Sequence, residues 1–240
     1  GLSCAGVRFD RSAAALVLVP MGNVSGDVTV AGKSLHQATN GYGDPMVEFN
    51  MNIIGPSAQD NLAKAMRYEP GFSVDVLVDL ALPIGQYNSN QALNLGQNRW
   101  YGRLGAPINV QIGPWVPGRR TTLEFLPAVW IFGKNNDLVG QTLKTDPMFQ
   151  LDAHLTRDFT EHFWGSIDGQ YYSHGKNTIN GVSADGPSIK AYGFTLGYQI
   201  NENINLTAGY KSTLNNDNSP GNLRMDSFMF TLGFGWNKLV

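Results

Sequence analysis

The stretch Asp226-Ser227-Phe228-Met229-Phe230-Thr231-Leu232-Gly233-Phe234-Gly235-Trp236 decides the fold. Successive side chains of an extended chain point to opposite faces. Asp226, Phe228, Phe230, Leu232, Phe234 and Trp236 therefore share one face, and Ser227, Met229, Thr231, Gly233 and Gly235 the other. A strand of about ten residues with one apolar face and one small or polar face suits a bilayer-spanning β-barrel, lipid outside and water or packed polar groups inside.

The same phase runs back through the chain. Residues 203–213 set Ile204, Leu206, Ala208 and Tyr210 against Asn205, Thr207, Gly209 and Lys211. Residues 188–200 set Tyr192, Phe194, Leu196, Tyr198 and Ile200 against Ala191, Gly193, Thr195, Gly197 and Gln199. Only Asn201-Glu202 separates the two runs, which is a hairpin signal. Further strands are expected at 162–174, 146–157, 119–133, 98–113, 71–84, 42–54 and 12–20. Phe72, Val74, Val76, Val78, Leu80 and Leu82 face outward on 71–84, as do Trp100, Leu104, Ile108, Val110 and Ile112 on 98–113. That makes ten full strands, with a partial one at 1–9. Closure with both termini at one end needs an even number, so twelve are expected, forming a single all-β barrel domain over 1–240.

Connections alternate in length. Short turns are expected at Asp158-Phe159-Thr160-Glu161 and at Pro114-Trp115-Val116-Pro117-Gly118, where two prolines cannot continue a ladder. Long polar loops are expected at 21–41, 85–97, 134–145, 175–187 and 214–222, and these are assigned to the extracellular side. Residues 55–70 depart from the rule: a long periplasmic connection containing a short Ser-capped helix. Trp100, Trp115, Trp130, Trp164 and Trp236 near strand ends read as an aromatic girdle.

Composition agrees. Charged residues are 15% of the chain, against roughly 25% in soluble domains, while 28 glycines and 11% aromatics suit a greasy, closely packed wall. A net charge of −2 offers no basic surface for nucleic acid. The longest apolar run, 13–19, falls far short of the roughly 20 residues of a spanning helix. A single cysteine, Cys4, excludes an internal disulfide and a cysteine-based zinc site. A soluble β-sandwich is the competing fold, and the outward rows at 74–82 and 228–236 oppose it.

Two segments carry a family resemblance: Asn94-Leu95-Gly96-Gln97-Asn98-Arg99-Trp100 and, upstream, Pro83-Ile84-Gly85-Gln86-Tyr87. With Phe9-Asp10-Arg11-Ser12-Ala13, Leu18-Val19-Pro20 and Gly43-Asp44-Pro45, they resemble the outer-membrane channel family called meta-pathway of phenol degradation. The likeness covers most of the chain, strongest over 42–157, and departs at the N-terminus, where the family has a further strand. It implies a twelve-stranded channel of the bacterial outer membrane, taking up small hydrophobic or aromatic molecules in bacteria that degrade them. Its partners would be the lipid bilayer and such solutes. We expect a monomer without cofactor or chemistry.

Glu48, Asp75, Asp79, Arg99, Tyr101, Arg103, Glu124, Asp152, His154, Asp168, Lys190 and Lys211 are assigned to the lumen. Both signs occur, so a simple ion filter is not expected. The charges either cross-link the wall or, through Arg99 and Arg103, narrow the pore and orient polar ends of substrates. Leu126, Trp130 and Phe132 alternate with further apolar residues, giving an inner apolar strip that either binds solute or packs beneath a folded-in loop. A barrel hydrolase of the lipase type is the alternative function, with His154 and Asp152 completed by a serine from another strand. Ser173 and His174 are adjacent, point to opposite faces and cannot form such a pair. His36, His154, His162 and His174 show no metal-ligand spacing.

Overall fold

A computed structural model describes residues 11–30, 33–56, 69, 71–186, 188–201, 203–214 and 226–234. In chain order the strands are β1 (Ala13–Leu18), β2 (Met21–Val30), β3 (Lys33–Tyr42), β4 (Met46–Ile54), β5 (Phe72–Ala81) and β6 (Tyr101–Gly105). They continue as β7 (Ile108–Gln111), β8 (Thr121–Phe132), β9 (Asn135–Leu138), β10 (Gln141–Thr145), β11 (Met148–Asp158) and β12 (Phe163–Ser173). The last are β13 (Asn177–Ile179), β14 (Val182–Ala184), β15 (Ser188–Asn201), β16 (Ile204–Thr213) and β17 (Asp226–Phe234).

The main sheet is an antiparallel meander in the order β1-β4-β5-β6-β8-β11-β12-β15-β16-β17. Strand β7 continues β6 in unchanged register, with Leu77 opposite Gly105 and Val74 opposite Ile108. The interruption is Ala106-Pro107, because proline has no N–H to give the ladder. The edges are still held: the Asp75 amide donates to the Pro107 carbonyl at 2.8 Å, and Ala106 to that of Pro127 at 3.0 Å. Each of the ten strands read from the sequence overlaps a strand of this meander. Among the described residues, β1 and β17 each pair on one side. The partial strand at 1–9, Cys4, the short helix expected within 55–70, most of the 214–222 loop and Trp236 lie outside the described residues.

The sheet is inside-out by the standard of a soluble protein. Phe230 is 82% exposed, Ile167 69% and Leu104 57%, whereas Gln150 is 1% exposed and Asp79 2%. A dry core would invert those figures, since burying an unpaired carboxylate costs far more than burying a phenyl ring returns. The apolar row is therefore the lipid-facing side. The buried apolar residues are few: Leu77, Ala81, Ala128 and Met148 among the described residues.

Three stretches expected as loops are hairpins. Residues 21–41 contribute β2 and β3, which pair from Met21↔Tyr42 onward. Residues 134–145 and 175–187 contribute β9, β10, β13 and β14, a four-stranded sheet in the order β14-β13-β10-β9. Their turns take positive φ at both central residues, Val139 (53°) with Gly140 (70°) and Asn180 (48°) with Gly181 (84°). That is the pattern whose twist matches paired strands. The aromatic girdle also needs correcting. Trp130 and Trp164 face inward, Trp130 bonded to Gln150 and Trp164 lying against Gly197 where a Cβ would sit. Trp100 is exposed, and Trp115 carries the Arg120 guanidinium at 5.2 Å.

Candidate functional site

Register alone assembles the first inner cluster. Glu48 lies opposite Asp79 across β4 and β5, and Asp79 opposite Arg103 across β5 and β6. The Arg103 Nε–H donates to Asp79 Oδ2, and Nη2 lies 3.6 Å from Glu48 Oε2. Two carboxylates facing each other would repel, and the guanidinium beside them relieves that. Arg103 also reaches Gln150 Oε1 at 3.5 Å and stacks over Trp130 at 5.0 Å. Gln150 in turn accepts the Trp130 indole N–H at 2.6 Å and donates to Asp152 Oδ2 at 2.6 Å. Asp75 sits beside this group, accepting from Asn52 at 2.8 Å.

Arg99 differs, although it lies only four positions from Arg103 on the same face. Its Nε and Nη2 donate to Gln97 Oε1 at 3.1 and 2.9 Å, and Nη1 to Thr145 Oγ1 at 2.7 Å. The guanidinium lies 4.9 Å over Phe132. Between the two arginines Tyr101 stacks on Phe132 at 6.1 Å and tilts against Trp130 at 6.3 Å. The expected apolar strip is thus an aromatic column with a cation at each end. Leu126 is not part of that column; it packs over Gly105.

A buried carboxylate fixes the segment carrying Arg99. Asp44 Oδ1 accepts the Gly85 amide at 2.9 Å and Oδ2 the Gln97 amide at 2.7 Å. The Gly96 amide closes onto the Gln86 carbonyl at 2.9 Å, and a Cβ on Gly96 would fall 2.9 Å from Gly85 backbone. Asn135, 2% exposed, ties the same knot by donating to Tyr87 Oη at 2.9 Å and the Gln97 carbonyl at 3.0 Å.

The remaining inner charges gather on β8, β11, β12 and β16. His154 Nδ1 lies 2.6 Å from Asp168 Oδ1. Asp168 also accepts Ser166 Oγ–H and Thr195 Oγ1–H, both at 2.8 Å. Glu124 stands opposite His154 and accepts Thr122 Oγ1–H at 3.0 Å. Lys211 lies opposite Gly193 on the inner face. Lys190 does not join them. It pairs with Tyr171 and shares the outer parity of Tyr192 and Phe194, so its assignment to the lumen is wrong by one residue.

For hydrolysis, His154 is oriented by Asp168 and not by the expected Asp152. The nearby hydroxyls of Ser166 and Thr195 donate to Asp168 and not to the imidazole, so neither is set up as its nucleophile. The other histidines are dispersed: His36 pairs with exposed Asp27 at 3.1 Å, and His162 packs 6.4 Å from Tyr198. His174, just beyond β12, has its pKa pushed below the ordinary histidine value by burial. No group of three or more potential metal ligands occurs among the described residues.

The residues assigned to the lumen did not include Gln150, Gln97 or Asn135, because uncharged amides carry no obvious signal. Gln150 does share the inner parity of Asp152 and His154, and that parity is the clue available.

The model of the family described as "Putative MetA-pathway of phenol degradation" matches residues 5–230. The crystal structure of an outer-membrane channel from Pseudomonas putida F1 superimposes with a TM-score of 0.74 and 19% identity, covering 95% of this chain and 77% of that one. Among curated proteins none matches the chain.

Proposed function

Since this chain belongs to that phenol-degradation family of outer-membrane channels, we propose that it admits small hydrophobic or aromatic molecules by diffusion, without chemistry, as a monomer. The wall closes with twelve strands, and the alternating hairpins and long loops lie outside the cell. The observation that carries this reading is the inner column Trp130–Tyr101–Phe132, an aromatic track in an otherwise polar interior. A flat apolar ring can exchange one stacking partner for the next along it, while the hydrogen-bonded charges on either side hold the wall rigid. Proteoliposomes containing the protein should take up toluene or phenol faster than empty vesicles and show a discrete conductance in a planar bilayer. Inertness in both assays would refute the channel.

The His154–Asp168 pair keeps a lipase-type reading in view. That reading predicts ester cleavage abolished by His154→Ala; on the channel reading there is no such cleavage to lose.

A further inference from the structure

We propose that the cavity beside Arg99 is a binding site for the carboxylate of a single-ring aromatic acid. The inference rests on the channel reading only for where the ligand is bound on its way in.

The cavity measures about 170 Å³ and is lined by Arg99, Gln97, Asn135, Tyr87, Leu138 and Leu143, among others. An engineered apolar cavity of about 150 Å³ accepts one benzene ring, so the space is of single-ring size. Among the described residues, Arg99 supplies the only charge in its lining. Leu138, Leu143 and the Tyr87 ring offer an apolar surface, and the amides of Gln97 and Asn135 bound the polar end.

The charge itself argues for an anion. Arg103 has its counter-charges in Asp79 and Glu48. Arg99 is half-buried, yet its three hydrogen bonds go to a neutral amide and a neutral hydroxyl. Among the described residues no carboxylate lies within ion-pair distance, and the oxygens of Asp44 are taken by the Gly85 and Gln97 amides. Asp44 attracts the guanidinium without bonding to it. A part-buried guanidinium with no directly bonded counter-ion is costly, and a ligand carboxylate supplies that contact.

The geometry is also prepared. Arginine has five N–H donors, and the bonds to Gln97 and Thr145 use one on Nε, one on Nη1 and one on Nη2. One N–H remains on each Nη, free to donate to a carboxylate. Gln97, Thr145 and Phe132 already fix the plane of the guanidinium, so little side-chain freedom is lost on binding.

The test is calorimetric titration of the full chain in detergent with benzoate and with its neutral counterpart benzyl alcohol. Benzoate should bind saturably and on the order of tenfold or more tighter than benzyl alcohol, because bonds to a charged group are among the strongest. Arg99→Gln should weaken benzoate on the order of 10- to 100-fold and remove its preference over benzyl alcohol. Leu143→Trp, which fills the cavity and leaves the guanidinium bonds in place, should weaken both. Equal affinity of the wild type for the two compounds, no benzoate binding, or benzoate binding unchanged in both variants would overturn the proposal. Toluene uptake by wild-type proteoliposomes separates the two readings. Uptake without benzoate binding defeats this site alone, and benzoate binding without uptake defeats the channel alone.

Discussion

Replacing Arg103 with methionine tests whether the Glu48–Asp79–Arg103 cluster is part of the wall or a wet constriction. The Asp79 side chain is fully buried, that of Arg103 is 13% exposed and that of Glu48 24%. Arg103→Met strands a buried carboxylate, a change that costs about 3–5 kcal/mol. The lost stack on Trp130 adds at most about 1–2 kcal/mol, and Gln150 loses little because it keeps the indole N–H at 2.6 Å. Removing both ends of the pair in Arg103→Met/Asp79→Leu leaves only the part-exposed Glu48 without its cation and should return stability to within about 1 kcal/mol of wild type. The double-mutant cycle should therefore show a coupling of about 3 kcal/mol. Guanidinium unfolding in phospholipid vesicles, followed by tryptophan fluorescence, measures it. A single variant destabilised by less than about 1 kcal/mol would mean that Asp79 is bathed by lumen water, and the wall assignment would be wrong.

Ile167→Arg places a cation on the outer face of β12, where Ile167 is 69% exposed; unfolding in vesicles should show a loss of about 2–4 kcal/mol. Gln170→Arg on the inner face should cost much less. Asp44→Ala removes the acceptor of two amides, costing about 1–3 kcal/mol, and limited proteolysis should then cut within 85–97. Gly197→Leu drives a side chain into the Trp164 indole, and an overpacking loss of about 1–3 kcal/mol should appear with a shifted tryptophan emission. Gly181→Val forces a β-branched residue to φ 84°, and cleavage at the β13–β14 turn should rise while the main sheet keeps its stability.

The ten spanning strands were legible because lipid imposes one rule on every second residue, as in Tyr192, Phe194, Leu196 and Tyr198. The hairpins at 21–41, 134–145 and 175–187 were not, because a strand wetted on both faces has no apolar alternation to show. Asn180-Gly181 was nonetheless a readable turn signal. Lys190 was misplaced by ignoring the parity it shares with Tyr192. Asp44 was legible as a polar position of strand 42–54 and in the family likeness, but its role was not. Its role depends on Gly85 and Gln97, which come to it from 41 and 53 residues away.

Arg99 and Arg103 show most clearly where sequence runs out. Side by side on one expected face, they look interchangeable. Cross-strand register gives Arg103 two carboxylates, whereas Asp44 spends its oxygens on backbone amides and leaves Arg99 with neutral hydrogen-bond partners. The first guanidinium is consumed as a strut. The second keeps donors to spare at the loop end of the aromatic column. A passage conducts only if its sites hold a solute firmly enough to admit it and loosely enough to release it. Stacking contacts of about 0.5–1.5 kcal/mol per ring pair satisfy the second demand along Phe132, Tyr101 and Trp130. On the proposed channel reading, a charged group able to capture an anion belongs at the start of such a track and a charge already neutralised farther along it, and Arg99 and Arg103 at the two ends of the column suit that order.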